Sequence, residues 1–237
     1  GGETDPHFTS SPWMTRRLQH ILRSARHVYS ISPFTTQEMF DFGLSATMVV
    51  EVPMAVDHDT FYPQPTSLAV TERYDLEGQL VLLTVGRLVE RKGVDAALRT
   101  LAALGDRLTS WRYLIVSDGP FRAQLERLTK ELGLADRVVF TGYVDEADLP
   151  LLYNASDIFL MPNRQLPEAD GGSLSVEGFG IVFLEAAACG KPVIAGRSGG
   201  AVHAVEDGIN GLLVDADSDE LGNALVKLAD SEQRQKM

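Results

Sequence analysis

The chain has 237 residues, of which 44% are hydrophobic, and this length suffices for one large domain or for one domain with part of a second. Its formal net charge of −12 argues against a nucleic-acid-binding protein, because such a protein needs a basic face to contact phosphates. A single cysteine, Cys189, excludes an intrachain disulfide and fits a reducing compartment, so we expect a cytoplasmic protein. No apolar run approaches the ~20 residues that cross a bilayer, so no transmembrane segment is predicted.

The first part of the chain predicts only a fragment of a domain. About two βα units fit into it, which are too few to close a sheet. The predicted elements are a helix at 15–28, strands at 28–32 and 48–53, and a short helix that Thr35 or Thr36 caps and Gly43 ends. A proline-punctuated stretch then indicates a domain boundary. We therefore expect a domain remnant at residues 1–55, a connector at 56–65 and a second domain at 66–237.

From residue 80 onward, strands and helices alternate regularly. The strands are continuous apolar runs, which indicates burial on both faces, as in a parallel sheet with helices on each side. The sequence therefore predicts an α/β protein with a doubly wound, Rossmann-like parallel sheet of about six strands, beside the partial N-terminal domain. The predicted strands lie at 80–86, 111–117, 137–142, 157–162, 192–197 and 211–215, and the helices at 94–104, 121–132, 146–155, 179–189, 201–207 and 219–229.

Two acids stand eight positions apart in the stretch from Val176 to Gly200. Glu177 precedes a glycine-rich turn that opens a helix, and Glu185 lies two turns inside that helix. The backbone amides and the positive dipole end at a helix start attract phosphate groups. A buried carboxylate needs a partner, and either a ribose diol or a salt bridge to a neighbouring helix would serve. We interpret the stretch as a sugar-nucleotide site, with surface and salt-bridge roles for the two acids as the alternative.

Other polar side chains follow predicted strands at the same edge of the sheet, where ligands of such folds bind. Arg87 and Lys92 follow the first strand of the second domain and offer charges to phosphate oxygens, unless their loop is only a solvated basic turn. Tyr143 follows the third strand, where the backbone would face a nucleobase. Asn163 and Arg164 follow the fourth strand and would reach a phosphate or a sugar, although a surface arginine is the commoner case.

Neither a metal nor a dinucleotide cofactor is predicted. The five histidines show none of the H-x-E or H-E-x-x-H spacings of metal sites, and the loop at 86–93 is not a G-x-G-x-x-G turn. Cys189 lies in an alanine-rich helix, where we expect it to pack in the core.

Taken in order, these segments resemble the retaining GT-B glycosyltransferases of family 4, also called glycosyl transferases group 1. The segments that carry the resemblance are VGRLVERKG at 85–93, SDGP at 117–120, VVFTGYV at 138–144, LYNASDIFLMPNR at 152–164, EGFGIVFLEAAACGKPVIA at 177–195 and GGAVHAVEDGINGLLVD at 199–215. Glu177 and Glu185 match the family's E-x7-E signature, and Arg87 and Lys92 match its diphosphate-binding positions.

The resemblance implies a nucleotide-sugar donor and a role for each matched residue. Glu177, Arg87 and Lys92 would be the catalytic residues, with Glu177 contacting the donor sugar and the two cations neutralising the departing diphosphate. Glu185 would bind the ribose hydroxyls. The further donor-binding residues are expected to be Tyr143 and Val144 at the base, Asn163, Arg164, Gly178 and Phe179, and the backbone around Gly180, Ile181 and Val182. Transfer would retain the anomeric configuration without a metal, a cofactor or a covalent intermediate.

Two departures from the family pattern stand out. Ser117 replaces a glycine of the G-D-G-P turn, which we expect to be a mild change. Val202 and His203 replace the proline and the acid that often follow the G-G pair, and neither is expected to abolish donor binding.

A complete GT-B enzyme has two such domains, and only residues 1–55 resemble the end of the first. The terminal helix that crosses back to that domain is also not matched. We therefore expect a truncated form that binds donor and transfers little sugar. Any functional histidine, the acceptor site and any peripheral membrane contact would belong to the rest of the first domain.

The sequence leaves the substrates open. GDP-, UDP- and ADP-sugars all fit the motifs, although VEGFGIVFLEA is closest in character to mannosyltransferases, and the acceptor of the hexose is a glycan, a lipid-linked sugar or a small molecule. Two other functions compete with sugar transfer, namely a nucleotide-sugar epimerase and a nucleotide-binding module without catalysis. The intact E-x7-E spacing and the Arg–Lys pair favour transfer.

Overall fold

A computed structural model describes residues 12–167 and 174–235 of the chain. Residues 12–54, which we call the N-terminal segment, contain two helices and two parallel strands. They are α1 (Pro12–Ser24), β1 (Val28–Ser30), α2 (Pro33–Asp41) and β2 (Val49–Glu51), with β1 paired to β2. This is the small βα content that the sequence predicts, and the first eleven residues of the expected 1–55 remnant lie outside the described residues.

The start of α2 differs from the prediction. Its N-cap is Ser32 rather than Thr35 or Thr36, because Ser32 Oγ accepts a hydrogen bond from the amide of Thr35 at 3.1 Å and Thr35 Oγ1 accepts one from the amide of Ser32 at 3.0 Å. These reciprocal bonds form a capping box. Pro33, which directly follows the strand predicted at 28–32, is the first residue of the helix, where its missing N–H costs nothing.

The second domain is an α/β sandwich around a six-stranded parallel sheet, which confirms the predicted fold class. The strand order is β10-β9-β6-β3-β4-β5, and every pairing in it is parallel. The elements are α3 (Leu68–Tyr74), β3 (Leu80–Val85), α4 (Val94–Leu104), β4 (Trp111–Val116), α5 (Arg122–Glu131), β5 (Val138–Gly142), α6 (Leu149–Ala155), β6 (Ile158–Met161), β7 (Leu166–Pro167), β8 (Leu174–Ser175), α7 (Ile181–Ala188), β9 (Val193–Gly196), α8 (Ala201–Ala204), β10 (Gly211–Val214), α9 (Asp219–Ala229) and α10 (Ser231–Arg234).

Consecutive strand residues point into two separate cores, one on each face of the sheet. Leu82 packs with Leu98 of α4 and Leu225 of α9 on one face, whereas Leu83 packs with Phe183 of α7 on the other. All five side chains are fully buried. This is why the strands read as continuous apolar runs and not as alternating ones.

The strand order places β3 next to β6 at the centre of the sheet. From β3 the chain moves outward through β4 and β5, and it then returns to β6 and moves outward on the other side through β9 and β10. The loops after β3 and β6 therefore diverge to opposite sides, and a crevice opens at the carboxyl ends of these two strands. The loop after β3 carries Arg87 and Lys92, and the loop after β6 carries Asn163 and Arg164.

Regular structure also occurs where none was expected. The helix α3 has only seven residues and begins at the exposed Leu68, so its apolar contacts, through Val70 and Tyr74, are too few to show a helical period. Strands β7 and β8 form a short antiparallel pair within the predicted loop at 163–178, of which residues 168–173 lie outside the described part. No helix among the described residues is both long and apolar enough to cross a membrane.

The connector is held against α6 by one buried amide side chain. Asn154, 3% exposed, donates through Nδ2 to the carbonyl of Tyr62 at 3.1 Å and accepts at Oδ1 from the amide of Gln64 at 2.8 Å. Beside it, the ring of Phe61 packs edge-on against Tyr153, with ring centroids 5.6 Å apart. The predicted boundary region is thus bound to the second domain by both polar and aromatic contacts.

The backbone of Ser117 adopts a conformation that favours glycine. Its φ is +99°, in a region that residues with a Cβ rarely occupy, and its amide is fixed by a hydrogen bond to the carbonyl of Gly142 at 2.8 Å. The glycine-to-serine departure noted in the sequence therefore carries backbone strain.

We expect Ser117→Gly to raise the free energy of unfolding by about 1 kcal/mol or more, because such strain typically costs of order 1–3 kcal/mol. Urea denaturation followed by circular dichroism would measure the change. Ser110→Gly, at an exposed serine outside the left-handed region, is the control and should lower stability by about 0.5–1 kcal/mol. If both variants lose stability equally, Ser117 is not strained.

Candidate functional site

A buried carboxylate between two cations lies at the central crevice. Glu177 Oε2 accepts hydrogen bonds from Lys92 Nζ at 2.5 Å and from Arg91 Nη1 at 3.1 Å. The three side chains are only 11 to 13% exposed. Because burying an unpaired charge is costly, the pairing explains how these groups stay at low exposure. The structure thus brings together Lys92 and Glu177, two residues predicted for the site.

Arg91 is a site residue that the sequence analysis missed. It is adjacent to Lys92 in a short 3-10 turn at Glu90–Lys92, which directs both side chains toward Glu177. The only signal in the sequence is the pair of consecutive cations in a loop that follows a central strand. Arg87, which was predicted instead, is exposed at the start of the same loop, directly after Gly86.

Two glycines allow the loops of the site to approach each other. Gly93 has a φ of +72°, and a Cβ there would lie 1.9 Å from the carbonyl oxygen of Pro162. With any other residue at this position, the loop after β3 could not pack against the end of β6. Gly200 donates its amide to the carbonyl of Glu177 at 2.7 Å, and a Cβ there would lie 1.9 Å from the carbonyl oxygen of Gly178. The loop after β9 therefore packs directly against residues 177–178.

The helix α7 begins at this point, and its first backbone amides have no acceptor within the part of the chain that the structure describes. Gly180 is its N-cap in a left-handed conformation, with a φ of +86°. Among the described residues, no hydrogen-bond acceptor is paired with the amides of residues 179–182, and the first amide to be bonded is that of Phe183, to the carbonyl of Gly180 at 3.0 Å. Such amides, next to Lys92 and Arg91, form a suitable environment for a phosphate group.

The second acid of the pair, Glu185, has a neutral partner. Tyr153 of α6 donates its hydroxyl to Glu185 Oε2 at 2.6 Å. Burial, aided by the charge of Glu146, raises the pKa of Glu185, although the bond from Tyr153 opposes this rise. Burial and the neighbouring Glu185 raise the pKa of Tyr153 well above its usual value, so this hydroxyl keeps its proton and acts as a donor. The partner is thus a tyrosine of the neighbouring helix and not the cation of the salt-bridge alternative.

Asn163 and Arg164 are engaged in contacts that hold the crevice together. Asn163, 1% exposed, donates to the carbonyl of Ser198 at 3.2 Å and accepts from the amide of Gly196 at 3.0 Å. The guanidinium of Arg164 faces three carboxylates, those of Asp95 at 2.9 Å, Glu90 at 3.5 Å and Asp217 at 3.6 Å. Their expected role in donor binding stays a prediction that these contacts do not favour.

Tyr143 and Val144 lie farther from the central pair. They follow β5, the edge strand, which β4 separates from β3. Tyr143 is 81% exposed, whereas Val144 packs against the core on the face of α6 and α7. Their expected contact with a nucleobase stays a prediction.

A half-open cavity of about 380 Å³ lies at the opposite end of the sheet. Its lining includes Trp111, the first residue of β4, and Arg137, whose guanidinium stacks on the Trp111 ring at 5.3 Å. None of the predicted site residues lines it, so we do not assign the site there.

Comparisons with known proteins agree with this geometry. The family model described as glycosyl transferases group 1 matches residues 72–237. A GDP-mannose-dependent alpha-(1-6)-phosphatidylinositol monomannoside mannosyltransferase of Mycolicibacterium smegmatis is 42% identical over 200 residues, which are 84% of this chain and 51% of that protein. A mannosylfructose-phosphate synthase of Agrobacterium fabrum is 30% identical over 226 residues, which are 89% of this chain and 47% of that protein.

Solved structures show the same fold. The Anabaena HepE protein in complex with UDP-glucose superposes with a TM-score of 0.81 at 25% identity, over 97% of this chain and 61% of that chain. The sucrose-phosphate synthase of Thermosynechococcus elongatus gives a TM-score of 0.79 at 27% identity, over 99% of this chain and 57% of that chain. The chain thus spans about half the length of the curated relatives that it matches.

The resemblance drawn from the sequence motifs is confirmed by the family match, which covers well over half of the chain and includes Lys92, Glu177 and Glu185. The six-stranded parallel sheet agrees with the GT-B fold of the solved structures. The chain belongs to the glycosyl transferases group 1 family, with a GT-B fold.

Proposed function

We propose that this chain forms the donor half of a retaining, metal-independent hexosyltransferase that uses a nucleotide-diphosphate sugar. The observation that carries the proposal is the buried Glu177–Lys92 pair beside the amides at the start of α7, which have no acceptor among residues 12–167 and 174–235. An ammonium group has three protons, so Lys92 has donors left for a phosphate oxygen while it stays bonded to Glu177. The bond to Glu177 then holds the Lys92 ammonium group in place, and the remaining N–H groups of Lys92 face the ligand.

In this proposal, the diphosphate lies between the start of α7 and the cations of the loop after β3. Lys92, with Arg87 at the loop opening, neutralises the charge that develops on the departing nucleotide, and Arg91 adds a third positive charge. Glu177 faces the donor sugar with the carboxylate oxygen that the cations leave unbonded. Glu185 binds the ribose hydroxyls, oriented by its bond from Tyr153.

For the donor, we propose GDP-mannose. The support comes from the relatives with 40 to 42% identity, whose names state that they depend on GDP-mannose. For the acceptor we propose a lipid-linked sugar, because those relatives act on a phosphatidylinositol monomannoside. Incubating the full-length protein with radiolabelled GDP-mannose and lipid or small-molecule acceptors tests transfer, and epimerised donor without transfer would contradict it.

A thermal-shift panel of UDP, GDP and ADP with their sugars tests the donor with this chain alone. We expect GDP and GDP-mannose to raise the melting temperature most, since a ligand at a hundred times its Kd stabilises by about 2.7 kcal/mol. A larger shift with the uridine or adenine nucleotides would overturn the choice of base. No shift with any nucleotide would overturn the binding site itself.

Arg87→Ala should weaken donor binding by about tenfold or more, because a hydrogen bond to a charged group is worth about 1.5–3 kcal/mol. Its unfolding free energy should change by no more than about 1 kcal/mol, because interactions of exposed charged side chains typically contribute about 0–1 kcal/mol. Isothermal titration with GDP-mannose measures the affinity. Arg99→Ala removes the same charge from an exposed position on α4 and should leave affinity unchanged. Equal losses of affinity in both variants would mean that binding depends on the overall positive charge of the chain and not on the position of Arg87.

Glu185→Gln should weaken nucleotide binding and at the same time stabilise the free chain. The folded-state pKa of Glu185 is raised, so ionised Glu185 lowers stability once the pH exceeds the pKa of the unfolded state. Removing the acid should therefore raise the melting temperature at about pH 8 and much less at about pH 4, near the usual glutamate pKa.

Melting curves at the two pH values and titration with GDP provide the measurements for Glu185→Gln. A melting temperature that rises equally at both pH values would contradict the electrostatic cause. Unchanged GDP affinity would contradict the ribose role.

A further inference from the structure

A buried serine of the N-terminal segment contacts the loop before α7 directly. Ser32 donates its hydroxyl to the carbonyl of Gly178 at 2.8 Å, across 146 positions of sequence. Ser32 is fully buried, and the side chains of Ile31 and Thr35 lie beside the same glycine. Gly178 follows Glu177 directly, so the contact lies one residue from the central carboxylate.

The direction of this hydrogen bond follows from its partners, because the carbonyl oxygen of Gly178 can only accept. Ser32 Oγ accepts from the amide of Thr35 at 3.1 Å, and the Thr35 hydroxyl donates to the carbonyl of Ser32 at 3.0 Å. A hydroxyl has one proton to donate, and in Ser32 that proton goes to Gly178. The N-cap of α2 thus serves two helices, since it closes its own helix and binds the peptide that leads into α7.

The bonded peptide is held on its other face as well. Gly200 packs against the peptide between Gly178 and Phe179, close enough that a Cβ would meet the carbonyl oxygen at 1.9 Å and the Phe179 nitrogen at 2.8 Å. Because a peptide is planar, fixing its carbonyl also fixes the opposite N–H, which is that of Phe179 and has no acceptor among the described residues. Gly178, which supplies the carbonyl of this peptide, is bonded through its own amide to Glu177.

We propose that Ser32 is a positioning residue of the donor site. Its hydroxyl holds the 178–179 peptide, and through that peptide it sets both the orientation of the amides at 179–182 and the placement of Glu177 against Lys92 and Arg91. The proposal rests on the proposed function, because it assigns these groups to donor binding. It follows that the N-terminal segment contributes to donor affinity without touching the nucleotide.

Three variants separate this role from simple loss of packing. Ser32→Ala removes the bond to Gly178. Ser30→Ala removes a buried hydroxyl of the same segment, bonded to Thr36 Oγ1 at 2.5 Å, and leaves Gly178 untouched. Thr35→Val breaks the capping box but keeps the Ser32 hydroxyl and a methyl group beside Gly178. If Ser32→Ala does not fold, Ser32→Gly replaces it, since glycine is tolerated at an N-cap.

Two measurements are made on each variant. Amide hydrogen exchange of the ligand-free chain should accelerate by about tenfold at Phe183 and Gly200, whose amides bond to the carbonyls of Gly180 and Glu177, in Ser32→Ala only, as expected when a local bond of about 1.4 kcal/mol is lost. Titration should show about tenfold weaker binding of GDP in Ser32→Ala, whereas both controls stay within about twofold of the parent chain. Comparable changes in the controls would overturn the proposal, and so would unchanged exchange and affinity in Ser32→Ala.

The two readouts also separate this proposal from the one on which it rests. If the parent chain binds no nucleotide, the proposed function fails, and Ser32 loses its role in donor affinity with it. The exchange measurement needs no ligand and still decides whether Ser32 holds the loop. If GDP binds to the parent chain and Ser32→Ala changes neither exchange nor affinity, the proposed function stands and the positioning role is overturned.

Discussion

The pairing of Glu177 with Lys92 and Arg91 is the constraint to which the surrounding loops conform. Each of the three groups is nearly buried, and removing one partner of a buried pair typically costs about 3–5 kcal/mol. The loop after β3 and the loop before α7 must therefore meet at hydrogen-bond distance. That requirement explains why Gly93 and Gly200 occupy positions where any side chain would collide with a neighbouring backbone.

The sheet makes this meeting possible because of its strand order. With β3 beside β6 and the chain moving outward on both sides, the crevice at their carboxyl ends is not covered by a crossover helix. Asn163 then joins β6 to the loop after β9, and Arg164 joins it to α4 and to Asp217. These contacts link the loops at the carboxyl ends of the strands to one another. The distance between Glu177 and Lys92 therefore depends on several strands at once.

How much of the fold and of the candidate site can be predicted from the sequence depends on how far apart in sequence the interacting residues lie. The apolar strand runs predict the buried parallel sheet, since burial on both faces is a local property of each strand. The rim position of Lys92 and Glu177 follows from the chain order of strands and loops. By contrast, the Arg91 contact, the Tyr153–Glu185 bond and the three acids around Arg164 join residues far apart in sequence, and no local pattern encodes them. Ser32 was missed for a local reason, because residues 28–32 were predicted as a strand and Thr35 or Thr36, not Ser32, as the cap of the next helix.

The two acids of the signature differ in how their surroundings hold them. Glu177 is held by charge, whereas Glu185 is held by a neutral hydroxyl, and burial raises its pKa. Tyr153, which supplies that hydroxyl, also packs edge-on against Phe61 of the connector and stacks on Phe159 of β6 at 5.7 Å.

The connector therefore approaches Glu185 through Tyr153, just as the N-terminal segment approaches Glu177 through Ser32 and Gly178. Residues that precede the second domain or pack against its connector thus contact both ends of the E-x7-E stretch. Movement of the N-terminal segment would reach Glu177 through Ser32 and Gly178, whereas movement of the connector would reach Glu185 through Tyr153. The proposed donor site therefore depends on both parts of the chain, although its charged groups all come from the second domain.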